Sequence, residues 1–343
     1  MARDLIRVGI IGAGFIGEKH GEAYAQNSRV KVTAVIDTRG ENANRLAEKV
    51  GGKAYGSLEQ MLANETIDAL DVCLPTMMHK EAVIKAVRAG LDVLVEKPFA
   101  LNTEDIDLMI GAAREQGKRL MVAHVCRFMP EYIFAKAIVE KGEFGKPLFF
   151  GAWRESATPN WSWNNWLRDR QLSGGTIMDL SIHDIDLSNW LLGVPTAFYG
   201  QEVTKPGKEG PSHVISSLTY SNGSMATIEA GHLLPASYPF TTGYRLLLEQ
   251  GAIEFYGREH EERLIRIFSD KEVKIIDVAQ LPGVSTTDPY AEELNHFVDC
   301  LLTGADFRIS VDEAKLAVST VQKLRESIRM GQKISIDVPI PGQ

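Results

Sequence analysis

The chain of 343 residues is long enough for two domains of ordinary size, each with its own core. Hydrophobic residues make up 44% of it and charged residues 24%, the balance of a soluble globular protein. The formal net charge is −8 and no long basic run occurs, which argues against nucleic acid as a main partner.

The sequence shows no pattern typical of secretion, membrane insertion or metal binding. Residues near the start are charged where a signal peptide needs an apolar core, and no stretch approaches the ~18 apolar residues of a membrane span. The three cysteines, Cys73, Cys126 and Cys300, show no CxxC spacing, and no HxxxH or HExxH pattern occurs. We therefore expect a cytoplasmic protein with neither a disulfide framework nor a bound metal.

The first part of the chain alternates short apolar strands with amphipathic helices. Strands are predicted near 5–11, 30–37, 68–74, 91–96 and 119–124. Helices are predicted near 15–26, 41–50, 57–63, 79–89 and 103–116. Regular β–α alternation with β-branched strands predicts an α/β domain over residues 1–125, built on a doubly wound parallel sheet.

The first predicted strand runs directly into Gly12-Ala-Gly14-Phe-Ile-Gly17. This Gly-x-Gly-x-x-Gly pattern opens a predicted helix and is followed by Asp37 at the end of the second strand, the context that a dinucleotide site demands. Gly12 makes the tight turn, Gly14 lets the backbone approach the pyrophosphate, and Gly17 lets the helix pack on the strand. The helix N-terminus offers N–H groups to the anion. Residues 1–125 are therefore predicted to be a Rossmann domain.

Asp37 also bears on which dinucleotide is used. Its carboxylate is expected to accept hydrogen bonds from the adenosine ribose and to repel a 2′-phosphate, which favours NAD over NADP. Arg39, two residues later, is either a solvated loop residue or a ligand of that phosphate, and we favour the first interpretation.

The pattern changes after about residue 125, and residues 126–343 are predicted to form a second α/β domain. Helices are expected at 130–141, 176–192, 289–303 and 311–330. Strands are expected at 146–153, in four to six segments between 196 and 278, and at 333–338, with a hairpin turn at Ser221-Asn222-Gly223-Ser224. Sequential strands separated by turn signals predict an open, mostly antiparallel sheet.

Three segments carry a resemblance to a known family. They are Gly12-x-Gly14-x-x-Gly17-x-x-His20, Glu96-Lys97-Pro98, and Gly174-Gly175-x-x-x-Asp179-x-x-x-His183-x-x-Asp186. In order and spacing they resemble the glucose–fructose oxidoreductase and inositol dehydrogenase (Gfo/Idh/MocA) family over nearly the whole chain. The resemblance implies an NAD-binding Rossmann domain, a second domain that supplies the substrate wall and often the subunit interface, and Lys97, Asp179 and His183 as catalytic positions. It also suggests a cis peptide bond between Lys97 and Pro98.

The fingerprint and the resemblance together predict the lining of the cofactor site. Weaker family matches occur at Pro75-Thr76-x-x-His79 and at Tyr290-x-x-Glu293-x-x-x-Phe297. The predicted NAD-binding residues are Gly12, Gly14, Phe15, Ile16, Gly17, Asp37, Thr38, Arg39, Leu74, Pro75, Thr76, His79, Glu96, Lys97 and Arg127. One departure is Val125-Cys126-Arg127-Phe128, where many inositol dehydrogenases have an Asn-Arg-Arg-Phe type segment. It weakens the transfer of inositol as the substrate. His20 is expected to pack, and His232 has no partner that spacing identifies.

These residue types suit the oxidation of an alcohol, which needs a base for the hydroxyl proton and a cation near the oxygen. Histidine titrates near neutral pH, which makes His183 the candidate base. Lys97 can hydrogen-bond the reacting hydroxyl and stabilise its alkoxide character. Asp179, four residues before His183, would share a helix face with it and can fix the imidazole or bind a neighbouring hydroxyl. Taken singly, each could also be a surface charge, and Asp186 could either orient His183 or make a structural hydrogen bond.

A tryptophan-rich segment precedes the predicted catalytic helix. Residues 153–170 hold four of the five tryptophans, together with asparagines and arginines. Tryptophan faces suit the C–H faces of sugar and cyclitol rings, and amides and guanidinium groups suit hydroxyls. We expect Trp161 and Trp163 to contact substrate and Trp166 to be structural or near the nicotinamide; alternatively, the tryptophans only anchor the loop. The predicted substrate site is Lys97, Trp161, Trp163, Trp166, Asp179, His183 and Tyr290.

Together these features predict an NAD-dependent dehydrogenase that oxidises a secondary hydroxyl of a small, uncharged sugar, cyclitol or related polyol by hydride transfer to nicotinamide. An NADP-dependent sugar dehydrogenase or a keto-sugar reductase of the same family is the alternative enzyme. A non-catalytic NAD-binding regulator is the alternative of another class. The expected partners are a small-molecule polyol and further copies of the chain, as a homodimer or homotetramer, with neither nucleic acid nor membrane.

Overall fold

The computed structural model describes residues 4–205, 210–281 and 288–336, which pack into two compact units. The first unit comprises Met1–Phe128 and Thr287–Lys315, and the second comprises Met129–Thr286 and Leu316–Gln343. This division differs from the predicted one, in which all of 126–343 formed the second domain. The reason is a late helix, described below, that packs inside the first unit.

The observed elements follow the predicted order. The strands are β1 (Ile6–Ile11), β2 (Val30–Ile36), β3 (Lys53–Tyr55), β4 (Ala69–Val72), β5 (Asp92–Glu96), β6 (Leu120–Ala123), β7 (Pro147–Ala157), β8 (Pro195–Thr204), β9 (Ser212–Tyr220), β10 (Met225–Leu234), β11 (Thr241–Leu248), β12 (Gly251–Arg258), β13 (Leu264–Phe268), β14 (Val273–Asp277) and β15 (Ile334–Ser335). The helices are α1 (Phe15–Ala25), α2 (Gly40–Val50), α3 (Leu58–Asn64), α4 (His79–Arg88), α5 (Thr103–Glu115), α6 (Pro130–Lys141), α7 (Arg170–Ser173), α8 (Thr176–Asp179), α9 (Ser181–Leu192), α10 (Pro289–Thr303) and α11 (Val311–Met330).

Three predictions about these elements need correction. Seven strands, β8 to β14, occupy the region for which four to six were expected. The helix predicted over 176–192 is two helices that meet at Leu180. The edge strand β3 was missed because it has only three residues and none of them is fully buried. Residues 337 and 338 of the last predicted strand lie outside the described residues.

The first unit is built on a parallel sheet with the strand order β3-β2-β1-β4-β5-β6, and the predicted doubly wound sheet is confirmed. The order reverses between β1 and β4, and folds of this kind bind ligands at the carboxyl ends of the strands beside that switch point. β4 and β6 are buried along their whole length, which explains their short apolar sequences. Asp71, in the middle of β4, is the exception to that apolar character.

Helix α10 accounts for the return of the chain to the first unit. It packs against α1 and β1, and Leu294, Phe297 and Val298 on its inner face are buried. An apolar helix face predicts burial, but it does not identify the element that will cover it. None of the described helices is both long enough and apolar enough to cross a bilayer.

The second unit is built on a sheet with the strand order β14-β13-β12-β11-β7-β10-β9-β8-β15. Its neighbouring strands are antiparallel except for the parallel pair β7–β10, so the predicted open, mostly antiparallel sheet is confirmed. Helix α9 packs on β7 and β10 and covers one face. The predicted hairpin turn joins β9 to β10, and Gly223 there has φ +85° and donates its N–H to the Tyr220 carbonyl.

Candidate active site

The glycine-rich turn between β1 and α1 has little room for side chains. Gly12 has φ +99°, and a Cβ there would lie 2.4 Å from the carbonyl oxygen of Cys73. A Cβ on Gly17 would lie 1.9 Å from the carbonyl oxygen of Gly12. At Gly14, which precedes the first residue of α1, a Cβ would meet nothing within 4 Å. The turn therefore has glycine where packing requires it and an open approach at Gly14, which suits a pyrophosphate on the first turn of the helix.

Asp37 is held in place by backbone N–H groups. Its Oδ2 accepts a hydrogen bond from Ala13 N at 2.9 Å, and its Oδ1 accepts one from Arg39 N at 2.8 Å. Each oxygen keeps a lone pair that can accept a ribose hydroxyl. The Arg39 side chain is exposed, and its Nε lies 3.5 Å from Asp37 Oδ1. Arg39 is thus a surface residue with a long ion pair to Asp37, and its part in the choice between NAD and NADP stays a prediction.

His79 fixes the segment that follows β4 and carries Leu74, Pro75 and Thr76. It is fully buried, with Nε2 2.8 Å from the Leu74 carbonyl oxygen and Nδ1 3.1 Å from the Pro98 carbonyl oxygen. Burial lowers the pKa of His79, although these carbonyl groups act in the opposite direction. His79 therefore ties the chain after β4 to the chain after β5, and its predicted contact with the cofactor stays a prediction.

Lys97 directly follows β5, at the edge of the parallel sheet where such folds bind ligands. The Lys97–Pro98 peptide bond is cis, as predicted. The Lys97 N–H donates to Oε2 of Glu96 at 3.0 Å, and Lys97 itself is half-buried. The backbone at the predicted catalytic lysine is thus held by the side chain of the preceding residue.

Arg127 has a partner that the sequence did not suggest. It is buried, and its Nη1 donates to Oε1 of Glu313 at 2.8 Å. Its carbonyl oxygen accepts a hydrogen bond from Arg308 Nη1 at 3.0 Å. Burial acts to raise the pKa of Glu313, but the charge of Arg127 and several hydrogen bonds outweigh burial and lower it. Arg127 therefore has a structural role in the first unit, and its contact with NAD stays a prediction.

In the second unit, Asp179 ends α8 and His183 lies in the first turn of α9. Leu180, at the junction, keeps right-handed helical angles and donates its N–H to the Thr176 carbonyl, so the helical spacing continues across the junction. From Ser181 to Asn189 every residue is buried except His183. His183 is therefore the accessible side chain of an otherwise buried helical segment.

His232 on β10 faces Asp179, a contact that the sequence did not predict. Its Nε2 lies 3.6 Å from Asp179 Oδ2, and its Nδ1 lies 2.8 Å from Ser156 Oγ. Its carbonyl oxygen accepts a hydrogen bond from Thr158 Oγ1 at 2.6 Å. No sequence spacing links these residues, because the strand and the helix meet only in the folded unit. Asp179 therefore lies beside a histidine of a neighbouring strand that the sequence did not indicate.

The tryptophan-rich segment divides by exposure. Trp161 is 61% exposed and Trp163 is 41% exposed, whereas Trp166 is half-buried. Asn164 and Asn165, which lie between Trp163 and Trp166, adopt left-handed backbone angles with φ of 48° and 54°. Asparagine tolerates this conformation better than most residues, so the tight turn that presents the two exposed indoles suits its sequence.

The side chain of Arg154, from the same segment, is buried and forms hydrogen bonds within the second unit. Its Nε and Nη2 each donate to an oxygen of Asp184 at 2.9 Å, and Nη2 lies 3.2 Å from the Tyr132 hydroxyl. Arg170 pairs with Glu202 at 2.7 Å. Of the arginines that could have served a sugar phosphate, Arg168 is the exposed one.

Two groups of potential ligands lie close together within the described residues. They are His20, Asp71 and Cys73 in the first unit and Glu155, His213 and Glu229 in the second. In the first group, burial and then the charge of Asp71 raise the pKa of the Cys73 thiol, which opposes formation of the thiolate that a metal prefers. The expectation that the protein binds no metal stays a prediction.

Comparison with known proteins supports the resemblance seen in the sequence. Residues 6–124 match the GFO_IDH_MocA model, described as an oxidoreductase family with an NAD-binding Rossmann fold, and residues 132–259 match the GFO/IDH/MocA C-terminal domain. The scyllo-inositol 2-dehydrogenase (NAD(+)) of Bacillus subtilis (strain 168) is 26% identical over 344 residues, which cover 97% of each chain. The UDP-N-acetylglucosamine 3-dehydrogenase of Acidithiobacillus ferrooxidans is 30% identical over 229 residues, 67% of this chain and 68% of that one.

The fold is also found among solved structures. The aldose-aldose oxidoreductase from Caulobacter crescentus, complexed with glycerol, is similar with a TM-score of 0.86 at 20% sequence identity. The similarity covers 97% of this chain and 100% of that one. At this identity the likeness establishes the shared fold.

Proposed function

This chain belongs to the GFO/IDH/MocA family of NAD-binding oxidoreductases, and we propose that it oxidises a secondary hydroxyl of a small sugar, cyclitol or related polyol. The observation that carries the proposal is a match along nearly the whole chain to an NAD-dependent inositol dehydrogenase, in a sequence that keeps Lys97, Asp179 and His183 in the family spacing. When bound, NAD supplies the nicotinamide ring that accepts the hydride.

The first unit would hold NAD through backbone and carboxylate groups. The turn at Gly12 and Gly14 and the first N–H groups of α1 suit the pyrophosphate, and Asp37 suits the adenosine ribose. The remaining predicted cofactor residues lie at the end of β5 or in the segments that follow β2, β4, β5 and β6. Their individual contacts are part of the proposal.

The reacting hydroxyl would be handled by three side chains. The Lys97 ammonium would hydrogen-bond its oxygen and stabilise the developing negative charge. His183 would take the hydroxyl proton as general base. Asp179 would orient His183 or bind a neighbouring hydroxyl, and His232 beside it would help to hold its carboxylate.

The substrate is proposed to be an uncharged ring. Trp161 and Trp163 are exposed aromatic faces on the second unit, which suits stacking on the C–H faces of a sugar or cyclitol. The engagement of Arg154 with Asp184 removes one of the cations that could have bound a phosphate group. Tyr290 and Trp166 remain proposed members of the substrate site.

A homodimer or homotetramer is proposed from the open face of the second sheet. Apolar side chains on outward positions of β8, β9, β10 and β11 are 37–58% exposed: Tyr199, Val203, Ile215, Met225 and Leu247. An apolar surface of this kind on a sheet favours burial against a second copy. Light scattering of the purified protein tests the assembly, and cell fractionation tests the proposed cytoplasmic location.

The decisive experiment for the activity is a cofactor-reduction screen with purified enzyme. Sugars, cyclitols, anhydro-sugars and glycosides would be tested with NAD and NADP in parallel. We expect NADH to form with at least one uncharged polyol and the Lys97→Ala variant to lose that activity. Turnover with NADP alone would favour the alternative enzyme, and NAD binding without turnover on any substrate would favour the regulator.

A further inference from the structure

Residues from three sequence motifs meet in one buried cluster inside the first unit. His20 lies on α1, Asp71 on β4, Glu96 at the end of β5 and Glu293 on α10. Each is at most 7% exposed. The proposed proton and hydride transfer uses none of these four side chains directly, although Glu96 is also one of the predicted cofactor residues. We call these four residues the buried acid cluster.

Both ring nitrogens of His20 face carboxylate oxygens. Nδ1 lies 2.8 Å from Asp71 Oδ2, and Nε2 lies 3.2 Å from Glu96 Oε1 at ion-pair distance, although outside regular hydrogen-bond geometry. A neutral imidazole has a single N–H, so it would turn a lone pair toward one of the two carboxylates. A doubly protonated ring would direct positive charge toward both carboxylates. Burial opposes this charge, but the charge of Asp71 and its hydrogen bond to the ring outweigh burial and raise the pKa of His20 well above its usual value.

Glu293 is in the opposite situation. It is fully buried, and among the described residues no hydrogen-bond partner reaches either of its carboxyl oxygens. An ionised carboxylate in such surroundings would be very costly. Burial first, and then the negative charge of Glu96, raise the pKa of Glu293 well above its usual value. Burial without a hydrogen-bond partner therefore favours the neutral acid form of Glu293.

The other titratable groups around the cluster add no charge to it. Burial first, and then Asp71, raise the pKa values of the Tyr24 hydroxyl and of the Cys73 thiol. Burial first, and then Glu96, raise the pKa of the Tyr290 hydroxyl, which Cys126 also faces. The Tyr290 ring centroid lies 5.9 Å from that of His20. The arrangement thus favours one imidazolium facing the carboxyl groups of Asp71 and Glu96, with neutral acids around them.

Glu96 connects this cluster to the proposed active site. Its Oε1 faces His20, and its Oε2 accepts the backbone N–H of Lys97 at 3.0 Å. His20 in turn lies on α1, the helix whose first turn forms part of the cofactor site. The cluster therefore joins the helix that would hold the pyrophosphate to the residue that would contact the reacting hydroxyl.

We propose that the buried acid cluster is a positioning device, in which a permanently charged His20 holds the Glu96 carboxylate against the backbone of Lys97 while Glu293 stays neutral. His20, Asp71, Glu96 and Glu293 are positioning residues in this scheme. The inference rests on the proposed role of Lys97, and the tests below separate the two.

The charge state of His20 can be observed directly. In the full-length enzyme saturated with NAD, nitrogen NMR of the His20 ring is expected to show two protonated nitrogens throughout the range from about pH 6 to about pH 8, in which an ordinary histidine loses its second proton. The Glu96→Gln variant removes one of the two facing charges and should lower the His20 titration midpoint. A neutral ring at pH 7 in the wild type would overturn the proposal.

Kinetics test the link to Lys97. In Glu96→Gln the amide oxygen can still accept the Lys97 N–H, but it carries no charge to hold His20. We expect kcat at saturating NAD to fall by about tenfold or more, because positioning of the reacting group is lost. A raised Kd for NAD with wild-type kcat would instead mean that Glu96 only contacts the cofactor, and it would overturn the positioning role. Asp299→Asn, an exposed carboxylate on α10 paired with Arg29, is the matched control and should keep wild-type kcat.

Stability against pH tests the neutral state of Glu293. An acid whose pKa is raised by folding stabilises the folded state fully below its unfolded pKa, near 4.5, and loses that contribution as the pH rises toward the folded value. Relative to Glu293→Gln, the folding equilibrium constant of the wild type should therefore fall by up to about tenfold per pH unit above that point. Asp299→Asn should show no such slope. Parallel curves for wild type and Glu293→Gln would mean that Glu293 is ionised in the fold and would overturn this part of the scheme.

The outcomes distinguish the two proposals. If Lys97→Ala retains activity, the proposed chemistry fails, whatever the cluster does. If Lys97→Ala is inactive and Glu96→Gln keeps wild-type kcat, the proposed chemistry stands and the positioning role is wrong. The NMR and stability measurements remain decisive even if one of the kinetic variants folds poorly.

Discussion

Two groups of buried charged residues, one from each unit, are arranged differently. In the second unit Arg154 and Asp184 meet in a matched pair with two hydrogen bonds, each of 2.9 Å. In the first unit a single imidazole, His20, faces two carboxylates, with the neutral acid Glu293 nearby. The matched pair is electrically complete and lies in a core. The group around His20 is unmatched unless His20 and Glu293 are both protonated. It lies next to the predicted catalytic lysine, Lys97.

This difference suggests a way to distinguish buried charges that stabilise the fold from buried charges that support a reaction. A complete pair contributes rigidity, and its protonation has no reason to change near neutral pH. A buried group of charges without matched partners is costly, and such groups are found more often at functional sites. The predictions that follow test each side of this contrast, beginning with the reacting residues themselves.

The largest effect is expected from Lys97→Ala and His183→Ala, one residue from each unit. Each should lower kcat by about 10²–10⁴, the range for positioned acid–base groups, while NAD affinity changes much less. Steady-state kinetics with the best polyol and a direct NAD titration measure the two quantities. Lys80→Ala, an exposed lysine paired with Asp105, is the control for loss of a surface cation. A variant with near wild-type kcat would remove that residue from the mechanism.

The next effect concerns the matched pair of the second unit. Asp184→Ala leaves the buried guanidinium of Arg154 without its carboxylate and should lower the free energy of unfolding by about 3–5 kcal/mol. Glu254→Gln breaks the more exposed pair with Arg245 in the same sheet and should cost under about 1 kcal/mol. Urea denaturation measures both. Equal losses in the two variants would contradict the distinction between buried and exposed pairs in this unit.

Local features of both units could be predicted from the sequence, but contacts between residues far apart in the chain could not. The turn at Gly12 and Gly17 and the carboxylate of Asp37 follow from spacing along one βαβ segment, and the doubly wound parallel sheet follows from the alternation of elements. The contact of His232 with Asp179, and that of Arg127 with Glu313, join residues that no spacing relates. Such contacts arise from tertiary packing alone.

Helix α10 illustrates the same limit at the level of a whole element. A helix over 289–303 was predicted from the sequence, but its assignment to the second domain followed its place in the chain. In the structure it packs on α1 and brings Glu293 into the buried acid cluster. The motif that contains Tyr290 and Glu293 was visible in the sequence, yet a buried acid identifies its partners only once the fold is known.

The choice of cofactor tests how the first unit uses Asp37. We expect kcat/KM with NAD to exceed that with NADP by about tenfold or more, roughly 1.4 kcal/mol, because the carboxylate repels a 2′-phosphate. Asp37→Asn keeps the size of the side chain and removes the charge. It should therefore reduce the preference for NAD, mainly by raising kcat/KM with NADP. Equal use of the two cofactors by the wild type would contradict this and would make Arg39 the phosphate ligand.

The surface of the second unit offers the smallest predicted effect and the clearest test of substrate class. Trp161 and Trp163 are exposed on either side of Ser162, and the two asparagines that follow have left-handed backbone angles. This arrangement presents indole faces on an irregular loop, whereas the first unit presents backbone groups at strand and helix ends. Exposed indole faces of this kind suit the binding of a sugar or cyclitol ring.

Trp161→Ala and Trp163→Ala should therefore raise KM for the best polyol by about three- to tenfold and lower kcat less, because stacking on the ring is present in ground and transition states alike. Initial rates over a range of polyol concentrations at saturating NAD separate the two constants. Trp190→Phe, a conservative change of a tryptophan on α9 outside the loop, is the control and should leave KM unchanged. If both loop variants keep the wild-type KM, these tryptophans serve only to anchor the loop, and the substrate ring must be bound by other residues of the site.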